Sequence, residues 1–291
     1  MKFQYLNGGL GNQLFQYIFY RYYQLHARDE IWLDDMKFFF VHEHNGYELA
    51  RIFGLKPNLV SNYFDPDVWE YMVSQARQGG DLCQQLYDNG IDITMVAETT
   101  NFVFNGPVRY VATNNFHPIL AGLPGNIYFF GYWINREWLA AIRETIMAEL
   151  VFPPVTEREN LAYEQIAKTE KSVSVHIRRG DFCRLGLALE EEFYREAMDL
   201  IIKYLPDATY LVFSDDIGWC KDNYRTLGLD LAGDRIDFVS GNEGEKSYID
   251  MYLMSLCHGM ILANSAFSYF AALYNSHPDR VVINPTSFRE V

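Results

Sequence analysis

The segment Ser172-Val-Ser-Val-His176-Ile-Arg178-Arg179-Gly-Asp181 joins a short β-type run to a histidine, two arginines, a glycine and an aspartate. Residues of these types can hold an anion. A guanidinium offers a planar fork of donors that matches phosphate oxygens, and the carboxyl end of a strand in an open α/β sheet is where such ligands sit. Alternation through Val173, Val175 and Ile177 sends His176 and Arg178 to one side and Arg179 to the other, so one arginine reaches a given ligand easily. The plain alternative is an arginine pair answering nearby carboxylates, and composition alone weighs the two evenly.

Other segments carry compatible chemistry. Phe213-Ser-Asp215-Asp216 closes the next strand, which puts a carboxylate over the same crevice; Asp216 is expected to cap a helix starting near Ile217, which leaves Asp215 free. Asn264-Ser265-Ala266-Phe267-Ser268 follows an apolar strand and opens a helix, with Ser265 as cap and the amides of Ala266 and Phe267 offered to a phosphate. Capping alone is the equal alternative. Near the amino terminus, Gly8-Gly9-Leu10-Gly11 lies between a strand and a helix, where bare backbone can approach a ligand and helix amides can face an anion, or where glycines merely serve a turn.

Three tempting patterns lead elsewhere. Asp34 and Asp35 end the second strand about 20 residues on, as a dinucleotide's ribose acid would, but Gly-x-Gly-x-x-Gly is absent, and so is the Gly-Lys-Ser/Thr of a P-loop. Asp65-Pro66-Asp67 has the spacing of a metal-holding Asp-x-Asp, yet the proline suits a turn and a capped helix at Val68. Trp133 and Trp69 are candidates to stack on a sugar, although most aromatic residues belong in a core. Asp250 and His258 read as structural residues of one helix, whose Tyr248, Tyr252 and Leu256 spacing suits core packing.

These residues must be positioned by alternating strands and helices. A strand at 2–6, a helix from about Asn12 to Ala27 with Phe15, Ile18, Phe19, Tyr22 and Leu25 on one stripe, and a strand at 31–33 make a βαβ opening. The stretch 34–116 reads poorly, beyond short helices near 47–53 and 68–78. The apolar run 127–134 fits a buried strand, and one helix is expected from Asn135 through Trp138, Ile142, Ile146 and Leu150 until Pro153 and Pro154 stop it. The domain boundary is placed there, giving domains 1–150 and 151–291. In the second, strands near 173–177, 209–213, 236–239, 260–263 and 281–283 alternate with helical segments, the pattern of a doubly wound parallel sheet.

Composition narrows the partners. With 291 residues the chain suits two modest α/β domains. A hydrophobic content of 49% and a net charge of -14 describe a globular acidic protein that repels a nucleic-acid backbone and anionic lipid. No run reaches the roughly 18 apolar residues of a spanning helix, and the amino terminus alternates where a secretory leader would be continuous. A cytoplasmic protein is expected, free or peripheral to a membrane. The four cysteines, Cys83, Cys183, Cys220 and Cys257, lack a Cys-x-x-Cys pair and are expected to be reduced. An anionic substrate must therefore be held by a local basic site against the global field.

Taken in order, Gly8-Gly-Leu-Gly-Asn12-Gln-Leu-Phe-Gln-Tyr17, Gly131-Tyr-Trp-Ile-Asn135, the His176-to-Asp181 segment and Leu253-Met-Ser-Leu-Cys-His258 with Asn264-Ser-Ala-Phe-Ser268 resemble glycosyltransferase family 11, the bacterial-type α1,2-fucosyltransferases. The resemblance runs from the first strand to Asn284. It implies an α/β fold of GT-B type, two Rossmann-like domains facing a central cleft, with the acceptor on the amino-terminal side and GDP-fucose on the carboxyl-terminal side. It further implies that Asp215 reads the guanine, that His176 is a second neighbour of the nucleotide, and that Asn12 belongs to a loop facing the sugar donor from the opposite domain. Arg178 is then the choice to neutralise the leaving β-phosphate, Gly11, Ser265, Ala266 and Phe267 can offer amides, and Asn12 and Asp181 are the candidates to orient the acceptor. The implied reaction is transfer of L-fucose, with inversion, to the 2-hydroxyl of a galactose-containing glycan without a metal cofactor. Another fucosyl linkage is the near alternative; a dinucleotide oxidoreductase and a silent sugar-nucleotide-binding module are the distant ones.

Overall fold

Short β-branched and aromatic runs, most of them followed by helical segments, suit this chain to parallel strands with crossover connections. The computed structural model describes residues 1–42, 44–98, 109–113 and 116–285, with 109–113 described as backbone. The chain divides into two compact units, Met1–Val151 and Phe152–Val291. Part of the stretch the sequence leaves unassigned, 99–108 and 114–115, lies outside the described residues.

The first unit holds strands β1 (Lys2–Tyr5), β2 (Trp32–Asp34), β3 (Ile93–Glu98), β4 (Arg109–Thr113) and β5 (Asn126–Phe130) in the spatial order β2-β1-β5-β3-β4, every pairing parallel. One sheet face carries Phe3, Tyr5, Met95 and Tyr128 against Trp69, Met72 and Leu86. On the helix Leu10–His26, Phe19 stacks on Trp133 at 4.3 Å and meets Phe129 at 5.2 Å. Burying each such side chain stabilises the unit by about 1.5–3 kcal/mol.

The second unit holds β6 (Ser172–Ile177), β7 (Thr209–Ser214), β8 (Ile236–Phe238), β9 (Gly259–Ile261) and β10 (Val281–Ile283) in the order β10-β9-β6-β7-β8, again all parallel. Central β6 is buried on both faces: Val173, Val175 and Ile177 pack on Tyr194, Met198 and Ile201, while the Ser172 hydroxyl donates to the carbonyls of Ala167 and Thr169.

Several sequence expectations shift. The first helix begins at Leu10, so Gly11 is helical. The expected helix from Asn135 is two, Arg136–Ala141 and Arg143–Glu149, because Ile142 leaves helical geometry at φ -132°, ψ 28° while its side chain stays in the core. The strand expected over 127–134 ends at Phe130, since the amides of Tyr132 and Trp133 turn to donate to Glu98 Oε2. The helix Tyr248–Leu256 buries Ile249, Met251, Leu253 and Met254 and leaves Tyr248, Tyr252 and Leu256 half-buried; His258 lies beyond its end. Among the described residues, no helix is long and apolar enough to cross a membrane.

Candidate functional site

In the second unit the chain runs from β6 to β7 and β8 on one side, then to β9 and β10 on the other. The strand order therefore reverses between β6 and β9, and the crevice beyond the carboxyl ends of such a pair is where α/β sheets take ligands. His176 is the penultimate residue of β6, and its ring lies 5.7 Å from that of Phe267, which opens the helix Ala266–Tyr274 after β9. His176 and the Ser265–Phe267 turn are thus brought to one place.

Arg178, just past β6, meets two carboxylates. Its Nη2 donates to Asp181 Oδ1 at 2.6 Å, and its Nη1 lies 3.1 Å from Asp215 Oδ2. The other Asp215 oxygen accepts from the Arg179 amide at 2.8 Å. A Cβ on Gly180 would come within 2.5 Å of Asp215 Oδ2, so only glycine lets the turn close around that carboxylate. The sequence expectation gave Asp215 to guanine; in the structure both its oxygens are engaged in holding the Arg178–Gly180 turn.

Arg179 departs from Arg178. Its guanidinium lies 3.2 Å from the Trp219 ring centroid, a cation–π stack, with Nε 3.9 Å from Asp216 Oδ2. Asp216 Oδ1 meanwhile accepts from the Trp219 amide at 3.1 Å and caps the helix Ile217–Asp222, as read from the sequence.

Burial, and next the Arg178 charge, push the His176 pKa down to about 3, so the imidazole is neutral at physiological pH. Its Nδ1 is buried and has no hydrogen-bond partner among the described residues. A buried ring nitrogen without a partner is uncommon in a folded chain, where such groups are nearly always hydrogen-bonded. Ser265 Oγ accepts from the Phe267 amide at 3.3 Å, so the cap takes one of the two amides the sequence offered to a phosphate. Asn264, named in the sequence only as the head of its motif, has a contact that sequence reasoning missed: its Nδ2 donates to the Leu187 carbonyl at 2.8 Å and ties the segment after the motif to this turn. Its signal was a lone amide directly after a buried apolar strand.

The first unit carries Gly11 and Asn12, and its glycine loop is differently occupied. Gly8 adopts φ +87°, and a Cβ there would meet Asn12 Nδ2 at 2.6 Å. Gln13 Nε2 donates to the carbonyls of Gly8 and Gly46, and its Oε1 accepts from the Glu48 amide at 2.9 Å. Gln16 spans the strand-order reversal between β1 and β5, accepting from Asn7 N and donating to Gly131 O, each at 3.1 Å. Buried Glu48 stands beside the helix start. Burial pushes its carboxyl pKa up, while the Asn45 amide, the Arg51 charge and the Leu10 backbone N–H pull it back. A buried carboxyl of the protein's own therefore stands at that helix terminus.

The remaining candidates resolve into structural work. Asp34 accepts from the Tyr128 hydroxyl at 2.7 Å and Asp35 from the Ser61 hydroxyl at 2.6 Å, which leaves neither as a free ribose acid. Asp65 caps the helix Pro66–Ala76 through Asp67 N at 3.0 Å. Trp133 and Trp69 are 2% and 7% exposed, too buried to stack on a sugar.

A family model described as glycosyl transferase family 11 matches residues 107–290. An alpha-1,2-colitosyltransferase of Escherichia coli is 25% identical over 98% of this chain and 91% of its own length. A mouse galactoside alpha-(1,2)-fucosyltransferase 2 is 24% identical over 52% of this chain and 45% of its own. Among solved structures, NodZ alpha-1,6-fucosyltransferase co-crystallised with GDP superposes with a TM-score of 0.50 at 14% identity, over 99% of this chain and 96% of that one. That last likeness is one of fold alone: α/β, of the GT-B type with two Rossmann-like domains.

Proposed function

The chain belongs to glycosyl transferase family 11, and on that premise we propose that it is an inverting fucosyltransferase, moving L-fucose from GDP-fucose to the 2-hydroxyl of a β-galactoside in an acceptor glycan. One observation carries the reading: a half-buried guanidinium, Arg178, stands with the unpaired imidazole of His176 at the strand-order reversal of the second unit. As the bond from fucose C1 to the β-phosphate oxygen breaks, negative charge gathers on that phosphate and positive charge on the sugar ring. A preplaced fork of N–H donors on the phosphate stabilises the developing charge without having to reorganise.

In this reading the second unit binds GDP and the first binds the acceptor. His176, kept neutral, offers Nδ1 to the nucleotide, the remaining helix amide at Ala266 assists the diphosphate, and Asn12, in the first unit, is the candidate for orienting the acceptor. The diphosphate is neutralised by protein groups, so transfer is expected to continue in excess EDTA; an absolute requirement for manganese after chelation would overturn this part. The α1,2 linkage rests on the names of the relatives that match. A second reading, transfer of colitose in place of fucose, is favoured by the relative that aligns over nearly the whole chain.

Incubation with GDP-fucose or nucleotide-activated colitose and a panel of β-galactosides, followed by linkage analysis of the product, tests both. Fucose on a galactose 2-hydroxyl supports the proposal. Colitose on that hydroxyl selects the second reading, a different linkage replaces the acceptor assignment, and GDP-fucose bound without turnover indicates a silent module.

A further inference from the structure

Arg178 is not a free cation. Its side chain and those of its partners Asp181 and Asp215 are 25%, 29% and 26% exposed, so all three are within reach of solvent. With Arg179 beside Asp216, two guanidiniums face three carboxylates. With both of its carboxylates in place, Arg178 has no charge to spare, and neutralising a diphosphate requires one of them to leave.

The two carboxylates on Arg178 are held in different ways. Asp215 directly follows β7, engages both oxygens, and has Oδ2 in the space left by the missing side chain of Gly180. Asp181 contributes one oxygen to one bond, from the helix Gly180–Leu185, which buries none of its residues and closes on Gly186 at φ +66°. An ion pair three residues apart on such a light element is readily exchanged. A phosphate, with more charge and two oxygens to present to the fork, is the stronger partner.

We propose that the donor's diphosphate takes the place of Asp181 on Arg178 Nη2, while Asp215 stays as the fixed support of guanidinium and turn. Asp181 is then a removable counter-ion that keeps Arg178 in position before the donor arrives and returns to it as GDP leaves. The exchange rests on the GDP reading above, and it deepens that reading by dividing two carboxylates of one charge into a competitor and a support. Asp181 acts here through Arg178, as a positioning residue.

Calorimetric titration of GDP into the wild type, Asp181→Asn, Asp181→Glu and Asp215→Asn tests it, with stopped-flow measurement of GDP release. Asp181→Asn is expected to bind GDP roughly 2- to 5-fold tighter and to release it more slowly, the fold-change of losing a solvent-exposed competing ion pair. Asp181→Glu, which keeps the charge, should return affinity to near the wild-type value. Asp215→Asn should bind at least about 10-fold more weakly. If Asp181→Asn leaves GDP affinity unchanged or weakens it, the exchange is overturned while the nucleotide reading stands. A folded wild type that takes up no GDP overturns both. The decision rests on Asp181→Asn, whose exposed helix tolerates the change whatever Asp215→Asn does to folding.

Discussion

Both units present the same topological opportunity, a reversal of strand order in a five-stranded parallel sheet, and they use it in opposite ways. In the first, Gln16 bridges the segments after β1 and β5, and Glu48 stands at the start of the following helix, so the groups that might greet a ligand face the protein's own backbone. In the second, β6 carries near its end a neutral histidine with an unpaired nitrogen and is followed by a guanidinium that solvent can reach, and β9 is followed by a capped helix start. A strand-order reversal is therefore a location, and it becomes a site only where side chains leave polar capacity unmet.

The largest expected break in this contrast is Arg178→Lys. A point ammonium keeps the charge but not the fork, so turnover at saturating donor should fall by roughly 10²–10³, the usual consequence of losing an oriented donor to transition-state charge. Arg179→Lys should cost much less turnover, because Arg179 spends its planar face on Trp219. Steady-state kinetics of both variants decide it; near-normal turnover in Arg178→Lys removes the distinction between the two units.

Each unit also buries one carboxyl whose pKa burial pushes up to about 7, Asp34 in the first and Asp250 in the second. Both folded values lie above the ordinary unfolded value of 3.8. Each carboxyl therefore contributes stability fully below pH 3.8 and loses that contribution as pH rises toward about 7. Asp34→Asn and Asp250→Asn should raise stability at pH 8 by on the order of 2 kcal/mol each and flatten its decline between pH 5 and about 7. Urea unfolding across that range measures it. A variant that is less stable than the wild type at pH 8 would show that the fold favours the carboxylate at that position, and would overturn the upward shift.

Asp215→Ala comes next. As the support of Arg178, its loss should weaken GDP and ADP together, by about 1–3 kcal/mol each. Calorimetry with both nucleotides separates this from guanine recognition, for which GDP alone would suffer.

The second unit was the more legible in sequence, for a physical reason. Its candidate residues sit at strand ends, where a period of two is read directly, and Asp216 and Ser265 announce helix caps by type and position. Alternation in β6 nevertheless suggested one polar face, and the structure buries both; Ser172 satisfies its hydroxyl on nearby carbonyls, while Ser174 Oγ and His176 Nδ1 are buried with no hydrogen-bond partner among the described residues. The first unit was opaque because its decisive contacts are long-range and backbone-directed. Gln13 reaches the carbonyl of Gly46, 33 residues away, and Gln16 reaches that of Gly131, 115 residues away. No local period encodes such a contact; the visible hint was a pair of glutamines, Gln13 and Gln16, among the apolar residues of the helix's first half. Ile142 misled for a related reason, since its side chain keeps the helical stripe while its backbone breaks the helix.

The smallest expected effect tests the first unit's closure. Glu48 is a buried carboxyl at the start of the helix Leu10–His26, with Oε1 accepting from Arg51 Nη2 at 2.8 Å and Asn45 Nδ2 at 3.3 Å. Its pKa is raised, so burial outweighs those donors and the Leu10 amide, and ionisation costs the fold more than it returns. Glu48→Gln removes the charge at almost constant volume, and Arg51, still about a third exposed, can turn to water. Stability at pH 7 should therefore change by less than about 1 kcal/mol, since loss of the charge–dipole contact and relief of the buried charge oppose each other. GDP affinity should not change at all. If the glycine loop were a phosphate site with Glu48 as its resident competitor, the variant would bind GDP more tightly, as Asp181→Asn is expected to do in the second unit. Titrating GDP into both variants side by side makes the comparison: tightening in Asp181→Asn alone keeps the two units distinct, and tightening in both would give the amino-terminal glycine loop a share of the nucleotide.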